Sequence, residues 1–185
     1  MPSSALTVIH KYIRREMFDL TQQLFRAGPH NVAAIRRALD EIAGVLRGHA
    51  EHEDPRLAPI LRKLDASLAE RIAEDHRRLD DELERLRRAA RALDVNASCE
   101  ETLLAFQMDW NRFVSAYLAH LDDEERTLFP RLGGALPPVA AIVDSANAQG
   151  EQGRAFLQRL WAVTTCAERA AIERAEQHLR PREVA

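Results

Sequence analysis

The residues of this chain that could do chemistry are four histidines and two glutamates, spaced as metal ligands would be. They are His10, His49, Glu53, His76, His120 and Glu124. Each glutamate follows a histidine by four residues, and residues four apart on a helix share a face. Each such pair would therefore point an imidazole and a carboxylate toward the same space.

The number and type of these donors predict two metal ions. Two carboxylates buried close together repel each other or take up a proton, and a cation between them removes both problems. Four imidazoles and two carboxylates are too many for one tetrahedral zinc ion, which closes at four ligands. They suit two first-row ions, each with two histidines and bridged by both carboxylates, with positions left for water or a small ligand. Imidazole with carboxylate is typical of iron, manganese or zinc sites.

The elements that must position these residues are predicted to be helices. Gly (7 residues) and aromatics (5%) are scarce, and no β-branched run long enough for a sheet is present. Breakers predict four long helices, ending near Gly28-Pro29, at Pro55 and Pro59, near Leu93 and at Pro130. The third begins near Asp65, and a capping box over residues 98–101 precedes the fourth.

Shorter helices are predicted after the fourth long one. They cover residues 139–148, 152–162 and 166–179, with a second capping box from Thr165 to Glu168. We expect two regions, a bundle over residues 1–132 and a helical extension over 133–185 that packs on the same domain.

Apolar residues recur at steps of three and four along each long helix, which indicates one buried face. In every helix one histidine lies on that face. Short connections favour an antiparallel up-down-up-down four-helix bundle, an all-α fold. The distance of each histidine from its nearest turn is roughly 19 to 24 residues, so all four should lie at one end of the bundle. A single histidine on an apolar face is often a core residue, but four at one depth favour metal.

Residues 49–59 and 120–130 repeat one pattern. Histidine, glutamate, an acidic residue, leucine and proline recur at a constant offset of 71 residues. Such a duplicated unit would assemble a symmetric dinuclear centre with one metal per half.

With its ligands in this order, the chain resembles the hemerythrin-like, or HHE cation-binding, family. The similarity is greatest over residues 120–130, which close with Glu-Glu-x-x-Leu-Phe-Pro, and it covers about residues 5–132. The resemblance implies an oxo- or hydroxo-bridged di-iron centre that interacts with dioxygen. By position it implies one iron on His10 and His49, the other on His76 and His120, and bridges from Glu53 and Glu124.

The sequence departs from the oxygen carriers of that family at two positions. The carriers have a further histidine one turn after the equivalent of His76, where this chain has Asp80, which could ligate through oxygen or leave the place to water. They also set the second bridging carboxylate one residue later, at Glu125, but the match to Glu53 favours Glu124. Tyr117 or Tyr12 is a candidate hydrogen-bond donor to a bound ligand.

Three functions follow from this site. The first is a di-iron protein that binds or senses oxygen or a related small molecule. The second is a di-iron oxidoreductase acting on peroxide or nitric oxide, or in iron supply and repair. The third is an interaction protein in which the metal ties the bundle together. No catalytic acid, nucleophile or substrate cleft is evident, so the sequence does not indicate an enzyme.

The bulk composition limits the partners. With 26 basic and 29 acidic residues, the net charge of −3 favours neither nucleic acid nor an anionic membrane. No apolar run approaches the roughly 20 residues of a membrane span, and the N-terminus lacks the apolar core of a signal peptide. The two cysteines are isolated. We expect a cytoplasmic monomer or homodimer.

Overall fold

The computed structural model describes residues 4–93 and 100–179, and these are almost entirely helical. The helices are α1 (Ala5–Phe25), α2 (Val32–Leu64), α3 (Ala66–Ala92), α4 (Glu100–Asp123), a π-helix (Glu124–Leu128), α5 (Phe129–Leu132), α6 (Ala141–Ala148), α7 (Gly150–Leu160) and α8 (Cys166–Leu179), with 3₁₀ turns at Pro29–Asn31 and Gly133–Ala135. Within these ranges an isolated bridge between Ser4 and Pro138 is the only β-type pairing. The predicted all-α fold is confirmed. None of the described helices combines the length and the apolar character needed to cross a membrane.

The chain forms two compact units. The larger unit comprises residues 13–131, and the smaller one combines the N-terminal residues up to 12 with the chain from 132 onward. The predicted division of the chain into domains between residues 132 and 133 stays a prediction. In the structure, the first turns of α1 group with the C-terminal helices.

The larger unit is a bundle whose neighbouring helices run antiparallel. Arg36, near the start of α2, donates hydrogen bonds to carbonyl oxygens at the end of α3. Arg71, at the start of α3, pairs with Asp123 at the end of α4 (3.4 Å). Trp110 in α4 donates to the hydroxyl of Thr21 in α1 (2.9 Å). Buried leucine, isoleucine and aromatic side chains from the predicted stripes fill the space between the helices.

The predicted end of the second helix was wrong. Helix α2 continues through Pro55 and Pro59 to Leu64. Both prolines are on the exposed side, whereas Leu57 and Leu61 are buried and extend the apolar stripe. Burial of these leucines offsets the hydrogen bonds that prolines remove from a helix. One residue, Asp65, then connects α2 to α3 and caps α3 by accepting from the Leu68 amide (3.0 Å).

The fourth helix differs from its prediction in a second way. It continues past Pro130 to Leu132, but residues 124–128 form a π-helix. The amide of Phe129 donates to the carbonyl of Glu124, five residues earlier, as a π-helical turn requires. The capping box predicted at residues 98–101 begins outside the described residues.

The smaller unit contains the predicted C-terminal helices, whose ends agree with the prediction within two residues. The capping box is confirmed: the Thr165 amide donates to the Glu168 carboxylate (2.8 Å), and the Glu168 amide donates to the Thr165 hydroxyl (3.3 Å). Helices α6 and α7 approach so closely that a Cβ on Gly153 would lie 1.8 Å from the carbonyl oxygen of Ala146. Only glycine fits there.

Candidate metal centre

Helix α2 supplies one histidine and one glutamate from the same face. His49 and Glu53 are four residues apart, and both side chains are buried. The His49 Nε2 lies 3.2 Å from Glu53 Oε2. The stripe of leucines and isoleucines on this helix places both residues inside the bundle, where a carboxylate needs a positive partner.

Helices α3 and α4 supply a second set of donors. The rings of His76 and His120 form a T-shaped pair, with their Nε2 atoms 3.1 Å apart and their ring centroids 4.7 Å apart. Glu124 Oε1 lies 3.4 Å from His76 Nε2 and 3.2 Å from His120 Nε2. These three side chains therefore converge on one point.

Glu124 joins the two sets through its two carboxylate oxygens. Oε1 faces His76 and His120, while Oε2 lies 4.0 Å from His49 Nε2. Donor atoms of His49, Glu53 and Glu124 all lie within 4.8 Å of one another, and so do those of His76, His120 and Glu124. Glu124 is fully buried and belongs to both groups.

The distances between donors fit a shared metal ion. Two ligand atoms that are each about 2.1 Å from one ion lie about 3.0 to 3.4 Å apart at octahedral or tetrahedral angles. The separations within each His–Glu pair and within the His76–His120 pair fall in that range. Imidazole nitrogen with carboxylate oxygen suits first-row divalent ions. The buried cluster can therefore hold metal, as the donor pattern predicts.

The sixth predicted ligand, His10, lies in the smaller unit. It is on α1, three residues before the larger unit begins, and its side chain is fully buried. Its burial fits the stripe on which it was predicted. Its role as a ligand stays a prediction.

Asp80 and Glu125, the two alternative ligands, belong to neither of these groups of donors. Asp80 is exposed, one turn after His76 on α3. The Glu125 carboxylate accepts a hydrogen bond from Arg14 on α1 (2.7 Å) and is partly exposed. The side chain that follows Glu124 thus faces another partner.

Tyr117 lies one turn before His120 and is buried against it, with ring centroids 5.7 Å apart. Burial raises the pKa of the Tyr117 phenol well above its ordinary value of 10.0, and the negative charges of Glu124, Glu53 and Asp80 raise it further. The phenol therefore keeps its proton at neutral pH and can act as a donor.

The ion pair between Arg14 and Glu125 was not predicted. Arg14 follows His10 by one helical turn, but it is 111 residues from its partner in sequence. A charge pair between distant segments leaves no local pattern, so only the packing of α1 on the end of α4 reveals it.

One family model matches this chain twice. It describes the hemerythrin HHE cation-binding domain, and it matches residues 1–110 and again residues 67–181. No curated protein and no solved structure matches the chain. Two overlapping matches agree with the internal repeat of the His-x-x-x-Glu pattern.

Proposed function

The chain belongs to the hemerythrin HHE cation-binding domain family, and on this basis we propose that it holds a di-iron centre that binds or senses dioxygen or a related small molecule. The observation that supports the proposal most directly is the position of the Glu124 carboxylate. Its Oε1 faces His76 and His120 and its Oε2 faces His49, as the oxygens of a carboxylate shared by two ions would.

The proposed ligands divide between the two ions through this shared residue. The metal ions would neutralise the buried carboxylates of Glu53 and Glu124, which would otherwise need protonated histidines beside them. His10 is the proposed further ligand. Iron in such a site supplies reversible redox chemistry toward oxygen species. The proposed ligands are His49, Glu53 and Glu124 for one ion, and His76, His120 and Glu124 for the other. The expectation that His10 joins the first set, and that Glu53 forms a second bridge, stays a prediction.

The surroundings of the cluster favour a small ligand. All the proposed donors in the larger unit are buried, which favours a small ligand over a bulky substrate. The second group contains three protein donors, fewer than the six that iron can accept. Asp80 is exposed, and its role as a further ligand stays a prediction. The protonated Tyr117 phenol beside His120 can donate a hydrogen bond to an anionic ligand.

Metal analysis of the aerobic protein together with its visible spectrum tests this proposal. We expect about two irons per chain and an iron-dependent absorption that disappears on reduction and returns with oxygen. Protein that takes up zinc alone, or no metal, would contradict the di-iron assignment.

Two variants test the site itself. His49→Ala removes a buried donor and should lower the metal content well below that of the parent. His30→Ala removes an exposed histidine and serves as the matched control. Full occupancy in His49→Ala would show that the ligand assignment is wrong.

Turnover separates binding from catalysis at the same centre. A sensor or carrier should return to its starting spectrum after oxygen is removed, without consuming peroxide or nitric oxide. Sustained consumption of either compound by the iron-loaded protein would favour the oxidoreductase alternative.

A further inference from the structure

The first turns of α1 are buried on two opposite faces. Leu6 and His10 lie on the stripe that the sequence predicts, and Ala5, Val8 and Tyr12 form a second stripe at steps of three and four. At about 100° per residue the two stripes point in nearly opposite directions.

Contacts with the C-terminal part of the smaller unit cover this helix segment. The Ala5 amide donates to the carbonyl of Pro137 (2.9 Å). The Tyr12 ring packs edge-on against Phe156 of α7, with centroids 5.2 Å apart. These contacts bracket His10 on both sides along the chain.

An ion pair next to His10 is the strongest of these connections. Lys11 Nζ lies 2.7 Å and 3.0 Å from the two carboxylate oxygens of Glu168. Only 1% of the Glu168 side chain is exposed. The same carboxylate caps α8 by accepting from the Thr165 amide. Loss of the Lys11 charge would remove a cation from a buried carboxylate, which costs more than breaking an exposed pair, so this pair holds its geometry more firmly than an exposed one.

We propose that α7 and α8 brace the first turns of α1 and thereby set the position of His10, with Lys11 and Glu168 as positioning residues. The inference rests on the proposed role of His10 as a metal ligand. Metal sites tolerate displacements of only about 0.5 Å in a ligand. Because Lys11 directly follows His10, loosening its side chain should disturb the ion on which His10 is proposed to act, and spare the ion held by His76 and His120.

The test is an anaerobic titration of the full-length protein with ferrous iron. Lys11→Met keeps the aliphatic length but removes the charge, and Glu168→Gln keeps the shape of the cap. In each we expect one iron to bind about tenfold more weakly, the loss typical of a partner outside the ligand set, while the other is unchanged. The double variant should be no worse than either single one, because both remove the same contact.

Thr165→Ala is the matched control. It removes the hydroxyl that caps α8 but leaves the pair between Lys11 and Glu168 in place. We expect both irons to bind normally in this variant. Hydrogen exchange should show faster exchange of the amides in residues 5–12 for Lys11→Met and not for Thr165→Ala.

The possible failures are distinct. Unchanged iron affinities in Lys11→Met would overturn the brace while leaving the proposed function intact. If Lys11→Met, Glu168→Gln and Thr165→Ala all lowered the affinity for both irons equally, the contact would contribute only to general stability. That result would also overturn the proposed positioning role. Parent protein that binds no iron would overturn the proposed function, and the metal part of this inference with it.

Discussion

The two copies of the His-x-x-x-Glu pattern, residues 49–59 and 120–130, share their residues but follow different backbone paths. In the first copy the chain continues through both prolines as regular α-helix to Leu64. In the second, a π-helix begins at Glu124 and a short helix follows it. A proline stands at the same place in both copies, so proline alone does not produce the π-helix.

Tertiary contacts distinguish the copies. In the second copy Glu125 accepts from Arg14 on α1, and Arg131 pairs with Asp65, the residue that caps α3. The position equivalent to Arg131 in the first copy is Ile60, which cannot form such a pair. The side chains that follow Glu124 therefore have partners on α1 and at the residue that caps α3, and the π-helical turn lies in the same segment.

The difference extends to the two glutamates. Glu53 belongs to one group of donors, with His49 and Glu124, whereas Glu124 belongs to both groups. The two copies of the pattern thus place their equivalent glutamates differently with respect to the donor groups. Because π-helical turns often occur at functional sites, the irregular copy is where we place the shared bridge.

The largest expected effect compares these glutamates directly. Glu124→Gln should lower the affinity for both irons, since it removes a carboxylate common to both groups. Glu53→Gln should mainly lower the affinity for one iron. We expect the loss in Glu124→Gln to exceed the roughly 10–100-fold typical of partners outside the ligand set. Iron titration with elemental analysis measures both variants. Equal losses of iron affinity in the two variants would show that the two glutamates have equivalent roles, as the repeat predicts.

A smaller effect compares the prolines. Pro59→Ala should raise the free energy of unfolding of the metal-free protein by about 1–2 kcal/mol, because proline inside a regular helix costs about 3 kcal/mol and the greater entropy of the unfolded chain offsets part of the gain. Pro130→Ala should gain less than about 1 kcal/mol, since the wider turn before it relieves the clash with the preceding carbonyl. Urea unfolding measures the difference. The same gain in both variants would argue against that explanation.

The smallest effect concerns the residue beside the bridge. Glu125→Ala should leave the iron content unchanged and lower stability by less than about 1 kcal/mol, because its partly exposed pair with Arg14 is screened by water. Elemental analysis and thermal unfolding, with Arg14→Met as the matching variant, test this. Loss of an iron from Glu125→Ala would transfer the bridging role to that residue.

Much of this architecture follows from local patterns. The stripes on α2, α3 and α4 placed His49, His76 and His120 on buried faces, and the capping box at Thr165 located the start of α8. The end of α2 was predicted wrongly because the prediction took proline as a helix breaker. It did not consider that Leu57 and Leu61 are buried and stabilise the helix beyond Pro55. The second stripe on α1 was visible at Ala5, Val8 and Tyr12, but its covering helices were not.

The sequence by itself determined the helical class, the family and the set of candidate donors, because these depend on residue type and spacing within one helix. Tertiary structure decided the rest: the two directions of the Glu124 carboxylate, the π-helix that follows it, and the contact of Lys11 with Glu168 across 157 residues. These depend on how side chains from distant segments pack in space. The repeat identified candidate donors in both copies, and packing placed Glu124 of the second copy in both donor groups.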